Sequence, residues 1–100
     1  RRCLCRWIGV CCAAPARLFD LSGKGRLAPG FDADIVIFDP IARHTYSVEN
    51  LHSNTDYSVW EGWEIEGKVE KTFSRGRMIV DGDKFLGSAD HGVYLHRMAS

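Results

Sequence analysis

The sequence lacks an excess of charge of either sign, and it lacks long hydrophobic runs. Its 13 basic and 13 acidic residues cancel to a net charge of zero. The general electrostatic attraction that draws basic proteins to nucleic acid or to anionic membranes is therefore missing. No apolar run approaches the roughly 20 residues that a membrane-spanning helix needs. A net charge near zero also removes the repulsion that keeps small domains apart, so the composition favours self-association.

Cysteine is absent after residue 12, since the 4 cysteines are Cys3, Cys5, Cys11 and Cys12. Thiols confined to this end cannot cross-link the rest of the chain, which argues against a secreted disulfide scaffold. Arg1, Arg2 and the small residues at 13–16 imitate a signal peptide, but Arg6 interrupts the apolar core between them. We interpret this stretch as the beginning of a fragment rather than an export signal, and we expect a cytoplasmic chain.

The stretch 30–40 contains the clearest predicted element, a short strand with the sequence Ile-Val-Ile-Phe at residues 35–38. Consecutive β-branched and aromatic residues are typical of a strand that is buried on both faces. Pro40 is expected to end the strand, because proline has no N–H to donate to a neighbouring strand. Pro29-Gly30 is expected to begin it with a turn.

The apolar spacing predicts helix over residues 3–21, with Pro15 opening a second short helix that ends near Ser22. Further strands are expected at 43–48, 68–74, 78–80 and 84–86. Reversals are expected at Arg75-Gly76 and at Asp81-Gly82, whose two residues suit the centre of a type I′ turn. The prediction is a single, mainly β (α+β) domain, with a helical segment at 1–22 and a β portion with its C-terminal tail at 23–100.

Residues 49–67 have no regular periodicity and carry Tyr57, Trp60 and Trp63. Long irregular segments are uncommon in compact domains unless they make a contact or a site. One interpretation is that the aromatic side chains form a lid over a hydrophobic core. The other is that they form an interface, because Trp and Tyr are favoured at the energetic centres of protein contacts.

The sequence predicts no catalytic, cofactor-binding or metal-binding residues. His44, His52, His91 and His96 lack the His-x-His and His-x3-His spacings of common metal sites. The cysteine pairs match no familiar zinc motif, and the Gly-Lys-Gly-Arg segment at 23–26 lacks the context of a phosphate-binding loop. No Gly-x-Ser-x-Gly turn is present. Asp32, Asp34 and Asp39 are interpreted as solvated carboxylates at strand ends.

Several groups of residues nevertheless form a pattern when they are taken in chain order. They are Ala14–Phe19, Gly23–Gly30, Asp32–Pro40, His52–Tyr57, Trp60–Gly62, Ser74–Arg77, Asp81–Gly87 and His91-Gly92. Over roughly residues 14–97 this pattern resembles the C-terminal part of a cyclic amidohydrolase of the dihydropyrimidinase and hydantoinase family.

The resemblance implies a parent enzyme that hydrolyses cyclic amides in a (β/α)8 barrel. Two divalent metals, usually zinc, would be held upstream of this region and bridged by a carbamylated lysine. Residues 1–22 would then be the last barrel helix, and residues 23–100 the C-terminal half of a composite β-sandwich. Such a chain would be inactive alone, would bind no cofactor and would form homo-oligomers. The alternatives are a stand-alone β interaction module and a non-catalytic dihydropyrimidinase-like scaffold.

If residues 35–38 form a buried central strand, Phe38→Ala is expected to lower the free energy of unfolding by about 3–5 kcal/mol. Urea denaturation followed by circular dichroism measures this loss. A loss below about 1 kcal/mol would show that this strand is not central.

Overall fold

The computed structural model describes residues 2–97, with side chains from Leu4 onward. The predicted boundaries at residue 1 and at 98–100 lie outside the described residues, as does the side chain of Cys3. Helix α1 covers Arg2–Ile8, a π-helical turn covers Gly9–Ala13 and α2 covers Ala14–Leu18. The strands are β1 (Ile35–Thr45), β2 (Glu64–Ser74), β3 (Arg77–Asp81) and β4 (Lys84–Phe85), and a 3-10 helix covers Val48–Asn50.

The second helix opens at Pro15 as predicted, but it ends at Leu18 rather than near Ser22. Pro15 lies in the first turn of α2, where its missing N–H costs no hydrogen bond. Beyond α2 the amide of Leu21 donates to the carbonyl of Ala16 at 2.8 Å, which closes the helix end. Gly25 has a φ of +91°, and a Cβ there would lie 2.6 Å from the Cβ of Ala16. Glycine is thus needed for the following loop to pass against the helix.

The sheet is antiparallel, with the strand order β1-β2-β3-β4. Arg75 and Gly76 join β2 to β3, and both have positive φ (49° and 80°), as the predicted tight reversal requires. The second hairpin differs from the prediction by one residue. Asp81 pairs with Lys84, so Gly82 and Asp83 are the central residues of that turn. Gly82 supplies its positive φ of 62°.

Strand β1 does not end at Pro40, which corrects the sequence-based boundary. It continues to Thr45, and it includes the first half, residues 43–45, of the separate strand predicted at 43–48. The pairing with β2 passes from Asp39 opposite Lys68 to Arg43 opposite Glu66, so residues 40–42 form a bulge facing Gly67. Because β1 lies at the edge of the sheet, proline is tolerated at such an irregularity.

The predicted burial of residues 35–38 on both faces is wrong. Val36 is 57% exposed, Phe38 51% and Ile37 42%. The accessible surface is 8579 Å², whereas a compact chain of this mass exposes about 5,700 Å². The radius of gyration is 15.8 Å, compared with about 13 Å for a compact 100-residue domain. The described residues form one layer of sheet. The prediction of a mainly β fold with short N-terminal helices is confirmed.

Phe38 contacts the backbone of β2 at Gly67. A Cβ at Gly67 would lie 2.6 Å from Cζ of the Phe38 ring, and the φ of this glycine is +108°. Gly67 is buried under the ring while the ring itself remains half exposed. Phe38 therefore covers backbone rather than filling a core, and the loss expected for Phe38→Ala falls below the range given for a buried aromatic.

We expect Gly67→Ala to lower the free energy of unfolding by about 2–4 kcal/mol, because it adds backbone strain to overlap with the ring. Gly62→Ala is the matched control. The φ of Gly62 is +81° and a Cβ at this position would meet nothing within 4 Å, so only the strain of about 1–2 kcal/mol applies. Combining Phe38→Ala with Gly67→Ala should cost less than the sum of the two. Equal losses for Gly67→Ala and Gly62→Ala in urea denaturation would refute the contact.

Candidate functional site

The irregular segment predicted from the sequence lies between β1 and β2 as residues 46–63, which we call the aromatic loop. Its two ends are joined by backbone hydrogen bonds. The amide of Tyr46 donates to the carbonyl of Trp63, and the amide of Gly62 donates to the carbonyl of Tyr46, both at 2.8 Å. The loop is thus closed at its base by the strands that it connects, which fixes the place where its side chains emerge.

Polar contacts hold the interior of the aromatic loop. Oε2 of Glu61 accepts a hydrogen bond from the amide of Val48 at 2.9 Å, at the start of the 3-10 helix. The hydroxyl of Ser47 accepts from the amide of Glu49 at 3.3 Å. Near the tip, the hydroxyl of Thr55 donates to the carbonyl of Tyr57 at 3.0 Å. Backbone groups and polar side chains of the loop thus hydrogen-bond to one another.

The three aromatic side chains singled out in the sequence point to solvent to a large extent. Tyr57 is 69% exposed, Trp60 53% and Trp63 59%, and Val59 beside them is 71% exposed. A lid over a hydrophobic core would leave its rings mostly covered, so the lid interpretation does not fit the described chain. The interface interpretation stays a prediction, now with a location on one loop.

The histidines do not converge on one another. The His44 ring meets Tyr46 edge-on at 5.5 Å, His52 lies near Phe85, and His96 lies against Tyr94. Within residues 2–97, no three His, Cys, Asp or Glu side chains come together as metal ligands would. The two metals that the family resemblance implies thus do not fit the described part of this chain. Cys5, Cys11 and Cys12 are free and exposed.

The structure brings together a polar cluster that the sequence analysis missed. Nζ of Lys24 lies 2.6 Å from Oδ2 of Asp34 and 2.9 Å from Oδ2 of Asp32. The other carboxylate oxygen of Asp34 accepts a hydrogen bond from the amide of Arg75 at 2.9 Å. The Arg75 guanidinium donates to the carbonyl of His91. We call Lys24, Asp34, Arg75 and His91 the anchor network.

The anchor network fastens two segments without regular structure to the β2–β3 turn. Asp34 ties the loop before β1 to Arg75, and Arg75 ties the C-terminal tail to the same turn. Nε2 of His91 lies 3.1 Å from the carbonyl oxygen of Ser74. Because a carbonyl oxygen can only accept a hydrogen bond, Nε2 is the donor. A cavity of about 370 Å³ is lined in part by Lys24, Arg75 and His91. These contacts join the loop before β1, the β2–β3 turn and the C-terminal tail to one another.

The sequence suggests a local role for each of these residues but does not predict that they contact one another. From the sequence, Asp32 and Asp34 are solvated turn carboxylates, and Lys24 is part of a helix-ending turn. The one available signal is the non-glycine residue at the first central position of the Arg75-Gly76 turn. Arg75 takes a φ of 49°, where a larger side chain costs about 1–2 kcal/mol. The contacts of the Arg75 guanidinium and amide offer a reason for an arginine at this position.

Comparisons with known proteins agree with the resemblance seen in the motifs. Residues 4–79 match the model of the Amidohydrolase family, so the similarity begins earlier than the residues 14–97 expected from motifs alone. Over 93 residues, the chain is 48% identical to a D-hydantoinase of Streptomyces coelicolor and 45% identical to a D-phenylhydantoinase of an Escherichia coli strain. Each alignment covers 92% of this chain and 20% of the relative.

Solved structures give the same result for the fold. A D-hydantoinase from Bacillus sp. AR9 superposes with a TM-score of 0.81 at 39% identity. An L-hydantoinase (dihydropyrimidinase) from Arthrobacter aurescens superposes with a TM-score of 0.84 at 29% identity. Both matches cover 92% of this chain and 21% of the other. The chain therefore spans about a fifth of the length of the relatives it matches.

The ion pair of the anchor network predicts how stability depends on pH. The hydrogen bond from Lys24 holds the pKa of Asp34 below its ordinary value, and it raises the pKa of Lys24. The Asp34 contribution is thus complete above about pH 4 and is lost as the pH falls through its depressed folded pKa. The Lys24 contribution is complete below about pH 10 and is lost as the pH rises through its elevated folded pKa.

Asp34→Asn should lower the denaturation midpoint at pH 7 and flatten the loss of stability below pH 4. The neutral amide still offers an oxygen to the Arg75 amide but no longer attracts Lys24. Asp32→Asn is the control, because Asp32 lies farther from Lys24 and accepts no backbone hydrogen bond from the turn. If the stability of Asp34→Asn falls below pH 4 as steeply as that of the parent, Asp34 is not the group responsible for this pH dependence.

Proposed function

The chain belongs to the amidohydrolase family, in its hydantoinase and dihydropyrimidinase branch, and on this premise we propose that it is the C-terminal β-sheet portion of a hydrolase of cyclic amides. The observation that carries the proposal is the 48% identity to a D-hydantoinase over 93 residues. In this proposal residues 1–22 correspond to the last barrel helix, and residues 23–100 to one half of a β-sandwich.

Ring hydrolysis is assigned to the longer proteins and not to residues of this chain. The support is chemical. The hydrolysis of an unactivated amide needs an activated nucleophile and stabilisation of the developing oxyanion. In residues 2–97, the anchor network uses its hydrogen-bond donors and acceptors for contacts within the chain. The proposed role of the chain is to build and position structure, without catalysis of its own.

The proposed location is the cytoplasm. Cys5, Cys11 and Cys12 are exposed, free thiols, which fit a compartment whose glutathione and thioredoxin systems keep cysteines reduced. In the part of the chain that the structure describes, no helix combines the length and the apolar character needed to cross a bilayer.

Self-association is the second part of the proposal, and the exposed surface supports it. The chain exposes about 2,900 Å² more than a compact monomer of its mass. A stable interface of ordinary size buries about 800 Å² on each partner. The aromatic loop offers Tyr57, Trp60 and Trp63 as contact residues. These facts also favour the second candidate function, a β module that assembles with itself without any link to catalysis.

We expect the purified chain to give no ring opening of hydantoin or 5-phenylhydantoin above the buffer rate, with or without added zinc. Chromatographic detection of the opened product measures this directly. A zinc-dependent rate in the chain alone would overturn the assignment of catalysis to the longer proteins. Activity restored when the chain is mixed with a separately produced barrel portion of a relative would favour the enzyme proposal over the stand-alone module.

Light scattering on the same sample is expected to show a discrete dimer or tetramer. Replacing both Trp60 and Trp63 by alanine should raise the dissociation constant of the interface about tenfold or more, as for interface residues that dominate binding. Tyr94→Ala is the matched control, because Tyr94 is 78% exposed and lies in the tail. A parent chain that is monomeric at every concentration would refute self-association.

A further inference from the structure

The β2–β3 turn holds the loop before β1 through its backbone. The amide of Arg75 donates to Oδ1 of Asp34 at 2.9 Å, and the amide of Gly76 donates to the carbonyl of Ala33 at 3.0 Å. The two central residues of the turn thus bind two consecutive residues of the loop. These adjacent hydrogen bonds fix the loop and the turn relative to each other.

The same turn holds the C-terminal tail through side chains. The guanidinium of Arg75 donates to the carbonyl of His91, and Nε2 of His91 donates to the carbonyl oxygen of Ser74 at 3.1 Å. Nη1 of Arg77 donates to the hydroxyl of Ser88 at 3.2 Å. The segment from Ser88 to His91 is thus fastened to the turn, and we call it the tail strap. Arg75 is the residue that both sets of contacts share.

The conformation of Arg75 connects its backbone contact with its side-chain contact. Its φ is +49°, in the left-handed region that a residue with a Cβ adopts only at a cost. Such a conformation persists where the surrounding contacts hold it. The carboxylate of Asp34 supplies one of these contacts, because a hydrogen bond from an amide to a charged oxygen is stronger than one between neutral groups. The backbone angles of Arg75 also set the direction of its Cα–Cβ bond, and hence where its guanidinium reaches.

From this connection we infer that Asp34 is a positioning residue for the tail, and that it holds the tail strap closed through the backbone of Arg75. The loop before β1 and the tail strap then open together, although most of the sheet separates them along the chain. The cavity beside the turn is lined by Lys24 and Asp32 from the loop and by His91 from the tail, so its shape depends on a closed strap. The inference rests on contacts within the chain, independently of the proposed hydrolase and of self-association.

The ion pair with Lys24 is the alternative way in which Asp34 could act on the tail. Nζ of Lys24 lies 2.6 Å from Oδ2 of Asp34, so the loss of this carboxylate also breaks an ion pair. Lys24 pairs with Oδ2 of Asp32 as well, at 2.9 Å. The Arg75 amide, by contrast, donates to Asp34. A change at Asp32 therefore weakens the ion pairing of Lys24 and leaves the Arg75 amide bound.

NMR order parameters of the tail amides test the inference on the whole chain. In the parent, the amides of residues 89–93 are expected close to the rigid value of about 0.85. Asp34→Ala removes the acceptor of the Arg75 amide, and these values should then fall below about 0.6. Asp34→Asn keeps an oxygen for that amide, so most of the order should return. Asp32→Ala is the matched control, and its tail should stay close to the parent.

Arg75→Gly separates the two ends of the connection. Glycine suits the φ of +49° and keeps the N–H that Asp34 binds, but it has no guanidinium. The tail should loosen as in Asp34→Ala. The amide of Gly76 should keep the slow hydrogen exchange of the parent, because the loop before β1 remains bound to the turn.

A tail that stays ordered in Asp34→Ala or in Arg75→Gly would overturn the inference. Equal loosening in Asp32→Ala and Asp34→Ala would assign the effect to Lys24 instead. Parent values below about 0.6 would contradict a closed strap. If Asp34→Ala loses its sheet signal in circular dichroism, Asp34→Glu takes its place. It keeps the charge for Lys24 but moves the carboxylate by one methylene, so its tail should loosen too, and an ordered tail there would also overturn the inference.

Discussion

The antiparallel pairing of β1 with β2 is the interaction to which the other parts of the chain are attached. The aromatic loop is closed where these two strands end, and the bulge at 40–42 is accommodated opposite Gly67. Strand β2 then supports β3, and the Arg75-Gly76 turn between them holds both the loop before β1 and the tail. Loss of the β1–β2 ladder would open the base of the aromatic loop and release the bulge, whereas the tail would keep its contacts with the β2–β3 turn.

A single layer of sheet constrains what this chain can be by itself. A sheet with apolar residues on its faces needs a second layer to cover them, and the described residues do not provide one. Ion pairs and hydrogen bonds such as those of the anchor network fix the geometry but add little stability at exposed positions. A single sheet layer cannot form a hydrophobic core by itself, but its exposed apolar residues can pack against other β structure. This property fits the proposed role as part of a larger β fold.

Much of the sheet can be predicted from local sequence. The run at 35–38, the turn residues Arg75-Gly76 and the glycine at 82 act within a few residues, so their effects are visible in the chain itself. The continuation of β1 past Pro40 cannot be predicted in this way, because proline is acceptable there only at an edge and at a bulge. Local sequence overestimates the burial of residues 35–38, since an apolar run reveals the preference for cover but not whether cover is present.

The anchor network is beyond sequence reasoning for a related reason. Lys24, Asp34, Arg75 and His91 are far apart in the chain, and each is ordinary in its local setting. Only the fold brings them together. The site prediction rests on residue type, and it locates the aromatic residues on one loop. It offers no means of deciding whether they are covered, which depends on the layer that lies above them.

The position of the aromatic loop between β1 and β2 also has a consequence for the order of folding. Strands β2, β3 and β4 are joined by two-residue turns and can pair soon after they are made, whereas β1 must wait for closure across residues 46–63. Closing a longer loop costs more chain entropy, and non-local pairing is slower. On the ribosome β1 is synthesised before its partner, so the backbone N–H and C=O groups that pair with β2 stay unpaired until β2 emerges.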